Sequence, residues 1–410
     1  MLLPTEREPV DTGTRTRLPA LVYVVAAGIF LMGTTEFMLA GLLPDVASDL
    51  GVDVTRAGLL ITAFAVGMII GPPIMALATL RLPARASLVG ALLVFAAGHV
   101  VAALSDSFTV VAVSRVVTAL ATGTFWAIGA VVASAVAGPG AGARALAVMS
   151  GGLSLAVVAG VPLGTFAGLF TGWRGPFWML AALALVTAVA VRQIAPATIG
   201  ESASDASIGT QISAMRSWRM WVVLTAIVLA QAGFLGMYSF ISPLLTDRAG
   251  IPTALVPVVL VGFGIGALVG TVLGGRFGDR YPWVTIVVAV SSSTVGMLVL
   301  ASTSSHPTIT VALVVLLGAA GLGANPVLIA QTLRYAGAGS TLASSLATAA
   351  FNLGTAVGSA LAAATLSTSL GLVGPAVLGA AVTGTALVPI AGLTLSRYRT
   401  NLFNRQGESG

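Results

Sequence analysis

Apolar residues run along this chain in twelve stretches, each long enough to cross a bilayer as a helix, since a span needs about 20 residues. A polar interval at 196–217 divides the stretches into two sets of six. The pattern predicts an all-α membrane protein whose twelve transmembrane helices form two pseudo-symmetric six-helix bundles. The twelve stretches are 18–43, 57–80, 86–104, 109–136, 145–170, 175–195, 219–244, 254–275, 283–302, 308–333, 341–366 and 372–395. The predicted domains are an N-terminal tail (1–17), a bundle (18–195), a linker (196–217), a second bundle (218–396) and a C-terminal tail (397–410).

The composition excludes an ordinary soluble protein. Only 8% of the 410 residues are charged and 57% are hydrophobic, whereas soluble domains carry about 25% charged residues. The chain has no Cys, which excludes disulfides, thiolate metal sites and cysteine nucleophiles. We expect neither a cofactor nor a metal site.

The basic residues set the orientation, because cytoplasmic loops of membrane proteins are enriched in Lys and Arg. All 19 basic residues are Arg. With the N-terminus inside, three lie in outer loops, at Arg56, Arg174 and Arg248, and Arg115 lies within a span. The other fifteen fall on the cytoplasmic side: Arg7, Arg15, Arg17, Arg81, Arg85, Arg144, Arg192, Arg216, Arg219, Arg276, Arg280, Arg334, Arg397, Arg399 and Arg405. The pattern predicts a plasma-membrane protein with both termini cytoplasmic, and it assigns the net charge of +6 to topology and not to a nucleic-acid partner.

An internal repeat supports the division into halves. Five residues of the second span and the loop after it recur at one offset of 199 residues. The pairs are Phe64 and Phe263, Gly67 and Gly266, Gly71 and Gly270, Arg81 and Arg280, and Pro83 and Pro282. Parallel repeats of this kind build transporters with a central site between the halves. Chance similarity between two glycine-rich helices is the alternative.

Glu36 is the one acidic residue within an apolar stretch. A charged side chain at the centre of a membrane helix costs roughly 2.5–3.5 kcal/mol on insertion scales, and such residues usually face a polar cavity. We interpret Glu36 as a proton-binding carboxylate of a transporter. In the alternative interpretation, Glu36 lies about two turns from the end of its helix, near Pro44, and extends to water.

The loop Gly275-Arg276-Phe277-Gly278-Asp279-Arg280-Tyr281-Pro282 resembles the Gly-x-x-x-Asp-Arg motif of the major facilitator superfamily. The resemblance implies a cytoplasmic latch that includes Gly275, Asp279 and Arg280. The first-half copy keeps Arg81 but has Leu80 in place of the acidic residue. A latch in that half lacks its carboxylate.

Arg115-Val-Val-Thr118 in the fourth stretch is similar to the Arg-x-x-x-Gly motif of the same family, with Ala119 in place of the glycine. An Arg within a span needs a partner, and the sequence offers Glu36. We therefore expect Glu36 and Arg115 to form the coupling pair for protons and substrate. The alternative is that Arg115 extends to the nearby membrane surface.

The fifth stretch carries Gly152, Gly160, Pro162 and Gly164, followed by Gly172-Trp173-Arg174. This pattern resembles the exporter motif of drug and metabolite antiporters in the superfamily. Glycines four residues apart allow close helix packing, and Pro162 allows a bend, which suits a helix between the halves.

Most of the chain resembles the twelve-helix drug:proton antiporters, most strongly over residues 33–178, and Ala63–Gly71 looks closest to the actinobacterial chloramphenicol exporters. The resemblance implies a monomeric, proton-coupled exporter of a small amphiphilic molecule, with chloramphenicol as one candidate. A sugar or nucleoside exporter remains an alternative, as does an uptake symporter of the same fold. A membrane enzyme would need paired carboxylates, a His cluster or a Ser/Lys dyad within the spans, and the sequence has none of these there.

Polar and aromatic residues within the spans are candidates for a substrate cavity. Three of them recur at helical spacing on the seventh stretch, as a wall for an amphiphilic ligand would require. The candidates are Phe37, Trp126, Gln231, Phe234, Tyr238, Asn325 and Asn352. Hydrogen bonding between helices explains the polar ones equally well. His99 has no second His or acid at metal-ligand spacing, and we interpret it as a packed residue.

Overall fold

The computed structural model describes residues 18–78, 82–138, 141–196, 216–336 and 341–393. Twelve helices in these ranges are long and apolar enough to cross a membrane, which confirms the predicted fold class. The tails, residues 197–215 of the linker, and Arg81 lie outside the described residues. The first six helices are α1 (Ala20–Asp49), α2 (Val54–Ala78), α3 (Ala84–Leu104), α4 (Phe108–Ala137), α5 in three parts (Gly142–Leu155, Ala156–Gly160 and Val161–Thr171) and α6 (Arg174–Ile194).

The second six helices follow in the same order. They are α7 (Trp218–Tyr238), α8 (Val256–Arg280), α9 (Pro282–Thr303), α10 in two parts (Pro307–Gly323 and Asn325–Ala336), α11 (Thr341–Thr365) and α12 (Gly374–Thr385, within a span that reaches Leu393). Short helical segments precede α8 and α12 or follow α7, at Ile241–Pro243, Leu244–Arg248, Thr253–Leu255 and Gly371–Val373.

The helix pairs of one half recur in the other. In the first half α1 packs on α5, α2 on α4, and α3 on α4 and α6; in the second half α7 packs on α11, α8 on α10, and α9 on α10 and α12. Each pair maps onto its counterpart by adding six to both helix numbers. The two bundles are therefore pseudo-symmetric.

The glycines of the internal repeat explain one of these pairs. A Cβ at Gly67 would meet the carbonyl of Val116 on α4, and a Cβ at Gly266 would meet the carbonyl of Val315 on α10. Val116 and Val315 are themselves 199 residues apart. The repeat therefore preserves close packing of the second helix of each half on the fourth, and chance similarity does not account for it.

The first helix is longer than its apolar pattern indicates. The sequence pattern ends at Pro44, whereas α1 continues through this proline to Asp49. Proline is tolerated inside membrane helices because neighbouring helices compensate for the lost backbone bond. Glu36 consequently lies sixteen residues after Ala20 and thirteen before Asp49. The alternative of a carboxylate near the helix end is wrong, since Glu36 lies near the middle of the span.

The two halves pack together at one end of the bundle, which we call the closed end. It carries the loops 50–53, 105–107, 172–173 and 304–306. Here α2 packs on α11 and α5 packs on α8, and the hydroxyls of Thr62 and Ser359 lie 2.7 Å apart across the two halves. The ring of Phe240 occupies the space where a Cβ on Gly58 would lie. An apolar cluster surrounds this contact: Leu43, Ala47, Ala57, Phe240, Ala362 and Ala363.

Charged residues join three segments of the first half at the same end. The Trp173 indole donates to the Asp49 carboxylate at 2.9 Å. Arg174 pairs with Asp49 as well, and with Asp106 at 2.6 Å. The Gly-Trp-Arg tail of the exporter motif thus ties the end of α1 to the loop between α3 and α4.

Candidate functional site

A small cavity lies between the halves, near the middle of the span. Its volume is about 20 Å³, far below the several hundred Å³ of a typical ligand pocket. Helices α1 and α2 line it from the first half, and α7 and α11 line it from the second. The lining residues are Glu36, Phe37, Ala40, Ile61, Phe64, Ala65, Leu235, Tyr238, Ser239, Asn352 and Thr355.

Among the residues that the structure describes, Glu36 is the only charged side chain that lines this cavity. It is half-buried, and no described residue hydrogen-bonds to it or forms an ion pair with it within 4 Å. Buried charges are normally paired. A carboxyl group that faces an internal cavity without such a partner is suited to exchange a proton or to meet a ligand.

Arg115 is buried beside Glu36 but binds its neighbour in sequence. Only 1% of Arg115 is exposed, so it does not extend to the membrane surface. One terminal nitrogen donates to the Thr35 hydroxyl at 2.9 Å and the other to the Thr35 carbonyl at 3.1 Å. Its guanidinium lies over the Phe64 ring, 4.2 Å from the centroid. Arg115 therefore holds α1 at the residue next to Glu36, and the Phe64 ring lies between Arg115 and the cavity.

Aromatic rings form the opposite wall. Phe37 meets Tyr238 edge-on across the halves, with ring centroids 6.4 Å apart. Tyr238 stacks on Phe263 at 4.5 Å, and Phe234 stacks on the same ring at 6.1 Å. The Tyr238 hydroxyl is buried without a hydrogen-bond partner among the described residues. This hydroxyl belongs to a cavity-lining residue and is free to bind a ligand.

Three of the seven predicted cavity residues line the cavity, namely Phe37, Tyr238 and Asn352. Gln231 donates to the Asn325 side chain at 2.7 Å, which pairs these two residues with each other inside the second half. Phe234 lies behind Tyr238 and Phe263. Trp126 is partly buried against an apolar cluster that extends through both halves, and it does not line the cavity. The structure thus brings together the part of the predicted set that lies on α1, the end of α7 and α11.

Sequence reasoning did not assign several residues of this site. Thr355 follows Asn352 by three positions, so both lie on one face of α11, and this spacing is a signal that was available. Phe64 was identified only as part of the repeat. The contact of Thr35 with His99 joins residues 64 positions apart, and no local pattern indicates it.

The glycines of the exporter motif face α1, the helix that carries Glu36. A Cβ at Gly152 would meet the Ala26 backbone, one at Gly160 the Thr34 hydroxyl, and one at Gly164 the Met38 sulfur. The motif therefore serves packing within the first half rather than providing a smooth face between the halves.

The helix that carries the motif also reaches the second half. Residues Ala156–Gly160 form a π-helical turn directly before Pro162, which has no N–H to donate to the carbonyl four residues back. A Cβ at Gly264 of α8 would meet the backbone of Val157 and Val158 in this turn. The predicted bend therefore takes the form of a wide turn, and this turn touches the other half.

The predicted latch lies at the end of the bundle opposite the closed end. Asp279 and Arg280 are exposed at the end of α8, and Gly275 lies one turn earlier. Arg280 lies over the Tyr281 ring, 5.2 Å from the centroid. Asp279 forms no ion pair with a described residue.

Comparisons with known proteins identify the class. The family model "Major Facilitator Superfamily" matches residues 25–341, and the chain belongs to this superfamily of membrane transporters. It is 39% identical to a chloramphenicol resistance protein of Streptomyces lividans, over 87% of this chain and 92% of the relative. It is 32% identical to the inner membrane transport protein YdhP of Escherichia coli, strain K12, over 89% of this chain and 93% of the relative.

A solved structure has the same fold. A bacterial homologue of the human lysosomal transporter Spinster, in an inward-facing and unoccupied conformation, matches with a TM-score of 0.67 at 15% identity. The match covers 93% of this chain and 96% of that chain. The predicted resemblance to the superfamily is confirmed, and among its members the chain is similar to a chloramphenicol resistance protein.

Proposed function

We propose that this transporter is a proton-coupled antiporter that exports a small amphiphilic molecule across the plasma membrane. The observation that carries the proposal is Glu36, a carboxyl group near the middle of the span that faces a cavity between the two halves without a paired charge. In the protonated form Glu36 is neutral, and in the ionised form it is the one charge of the cavity wall. A group of this kind allows the site to hold either a proton or the substrate.

Exchange through this site requires the halves to separate. The cavity of about 20 Å³ holds little more than one water molecule, whereas drug-sized ligands need several hundred Å³. The halves alternate between the arrangement described here, packed at the closed end, and one packed at the latch end. This is the alternating access that parallel repeats support.

The substrate class follows from the wall of the cavity. Phe37, Phe64 and Tyr238 supply aromatic surface, and Asn352, Ser239 and Thr355 supply neutral hydrogen-bonding groups. An amphiphile with an aromatic part and several polar groups fits this wall. Chloramphenicol is the first candidate because a relative with 39% identity is a chloramphenicol resistance protein.

The closed end is the outer end in this proposal. The split of the Arg residues supports a cytoplasmic location for the latch end and both termini. Since the chain has no Cys, single cysteines at Ser107 and Ser217 report the orientation. A membrane-impermeant thiol reagent should label position 107 from outside intact cells and position 217 only after permeabilisation. Labelling of both positions from one side contradicts the orientation.

The central experiment removes the carboxylate. In inverted vesicles that accumulate chloramphenicol under a proton gradient, Glu36→Gln should abolish gradient-driven accumulation. Binding of the drug should survive, because Gln and a protonated Glu offer similar hydrogen bonds. Substrate-induced proton release from detergent-solubilised protein should occur in the wild type and be absent from Glu36→Gln.

Asp45→Asn is the matched control. It removes a carboxylate from the same helix at an exposed position outside the cavity, and it should leave accumulation and proton release unchanged. Equal proton release from the wild type and Glu36→Gln contradicts the proposed role of Glu36. Accumulation driven in the opposite sense identifies an uptake symporter, and exchange of sugars or nucleosides without chloramphenicol identifies a metabolite exporter.

A further inference from the structure

A buried polar chain links helices α1, α3 and α4 behind the cavity. His99 on α3 is 1% exposed and Thr35 on α1 is fully buried. The His99 Nε2 atom lies 2.8 Å from the Thr35 hydroxyl oxygen, and the same oxygen accepts from Arg115 on α4. The His99 ring packs on Phe95, with centroids 4.1 Å apart, and on Phe177 of α6, at 5.3 Å. The imidazole is thereby fixed in place.

The donor of each hydrogen bond in this polar chain can be assigned by starting from the two groups at its ends, the Phe95 carbonyl and the Arg115 guanidinium. The His99 Nδ1 atom lies 2.8 Å from the Phe95 carbonyl, which only accepts, so Nδ1 carries a hydrogen. Arg115 only donates, so the Thr35 oxygen accepts from it. The Thr35 hydroxyl hydrogen is then available to His99 Nε2. With a neutral imidazole, each of these hydrogen bonds has one donor and one acceptor, whereas an imidazolium would place a second positive charge beside Arg115. The Arg115 Nε atom has no hydrogen-bond partner among the described residues.

Thr35 differs from several buried threonines of the protein in where its hydroxyl is directed. The hydroxyls of Thr122, Thr165 and Thr332 each donate to the carbonyl four residues back in their own helix. The hydroxyl of Thr34, next to Thr35, does the same. The described structure has no such bond for Thr35, whose hydroxyl is directed to another helix. The imidazole of His99 is the group that holds it there.

We infer that His99 is a positioning residue for the coupling site, acting through the Thr35 hydroxyl on Arg115. The inference rests on the proposed function. By turning Thr35 away from its own helix, His99 supplies Arg115 with an acceptor and keeps the guanidinium on Thr35 and over Phe64, behind the cavity. Without His99, Thr35 turns to its own helix carbonyl and Arg115 loses that acceptor. Glu36 is the nearest acid, and an ion pair with the released arginine would hold its carboxylate in the charged form.

The test compares two kinds of transport in the same proteoliposomes. Proton-driven chloramphenicol efflux requires Glu36 to gain and lose its proton, whereas exchange of labelled for unlabelled chloramphenicol at equal pH requires only the loaded carrier to alternate. Thr35→Val keeps the side-chain shape and removes the hydroxyl, and His99→Phe keeps an aromatic ring between Phe95 and Phe177. Each should lower proton-driven efflux by about ten- to a hundredfold, the effect of losing one hydrogen bond to a charged group. Each should leave the exchange rate within about twofold of wild type, and the drug concentration for half-maximal exchange should not change.

Rescue and controls separate positioning from packing. Thr35→Ser retains the hydroxyl and should restore proton-driven efflux. Thr122→Val removes a buried threonine hydroxyl that binds only its own helix, and it should leave both rates unchanged. Because His99 acts through Thr35, the double variant that combines Thr35→Val with His99→Phe should lose no more proton-driven efflux than Thr35→Val alone, as expected for coupled residues.

Two results overturn the inference. Equal loss of exchange and proton-driven efflux in Thr35→Val shows a structural role, and so does additive loss in the double variant. If His99→Phe does not fold, Thr35→Val and Thr35→Ser still decide the question, because both substitutions are small. The proposed function fails separately, when Glu36→Gln retains proton-driven efflux. If Glu36→Gln abolishes it and the Thr35 and His99 variants behave as wild type, only the present inference fails.

Discussion

Tyr238 shows how a side chain can be placed for a ligand at a cost to the stability of the unliganded protein. Its hydroxyl is buried without a partner among the described residues, and such a group costs about 1–3 kcal/mol. The ring itself is well packed, on Phe263 and against Phe37. Natural selection for stability alone would favour Phe at this position. The retained hydroxyl is consistent with a hydrogen bond that forms when substrate is bound.

Tyr238→Phe tests this interpretation. The variant should melt at the same temperature as wild type or higher, because the unpaired hydroxyl is gone. It should bind chloramphenicol about three- to tenfold more weakly, the range expected for one lost hydrogen bond. Thermal unfolding in detergent and equilibrium binding measure the two effects. Tyr23→Phe, at an exposed position of α1, should change neither, and a destabilised Tyr238→Phe with unchanged affinity would assign the hydroxyl to the fold.

At this scale the sequence identified single residues better than their partners. Glu36 was predicted from one rule, that an acid within an apolar stretch is costly and functional, and the structure places it at the cavity. The partner of Arg115 was not predictable, because Thr35 is one of many threonines and its contacts with His99 and Arg115 join three different helices. Hydroxyls hydrogen-bond their own helix by default, and only the packed structure reveals an exception.

At the scale of a helix, neighbouring glycines of α5 have opposite roles. Gly152 is buried against the Ala26 backbone, where an added Cβ would clash with atoms that cannot move independently of α1. Gly151, the preceding residue, is exposed and has open space around its Cα. The exporter motif includes Gly152, and the close contact with the Ala26 backbone explains why glycine is needed at this position.

Substitution of the two glycines separates packing from helix propensity. Gly152→Ala should destabilise the protein by about 1–3 kcal/mol through overpacking, and it should lower transport because α1 is displaced. Gly151→Ala should be neutral or stabilising by up to about 1 kcal/mol, since alanine favours helix. Melting temperature and chloramphenicol accumulation give the comparison. Equal effects of the two substitutions would mean that the α1 contact is not what the motif maintains.

Element boundaries were predicted less well than element number. The twelve spans follow from segment length and hydropathy, because the thickness and apolarity of the bilayer set both requirements without reference to how the helices pack. The end of α1 was wrong because Pro44 was interpreted as a terminus, whereas packing against neighbouring helices carries α1 on to Asp49. The π-helical turn before Pro162 was anticipated only as a bend, since its width depends on contacts with α1 and α8.

At the scale of the whole molecule, we expect the contact between the two halves at the closed end to open and close in each transport cycle. Thr62 and Ser359 meet across the halves with their hydroxyl oxygens 2.7 Å apart. Cysteines at both positions should form a disulfide on mild oxidation, because a bridge needs close side chains and the chain offers no other thiol. The oxidised double variant should lose chloramphenicol transport, and reductant should restore it.

Each single cysteine variant serves as the control and should transport normally under both conditions. Transport that persists in fully cross-linked protein would show that this end of the bundle does not open during the cycle. The pseudo-symmetry of the halves was predicted from five repeated residues. Their arrangement at one closed end was not, because a chain built for two packings does not specify in its sequence which one is present.

The apolar cluster at the closed end determines much of the free energy that is needed to separate the two halves there. Apart from Leu43 and Phe240, its buried members are alanines, and each methyl-sized group returned to water costs only about 0.8 kcal/mol. One proton moving inward supplies about 2.3 kcal/mol per 100 mV and about 1.4 kcal/mol per pH unit. The four alanines together cost about 3 kcal/mol to expose, close to what one inward proton supplies, so most of the remaining cost of opening this contact comes from Leu43 and Phe240. Leucine or phenylalanine in place of the four alanines would raise the cost of opening well above the energy of a single proton.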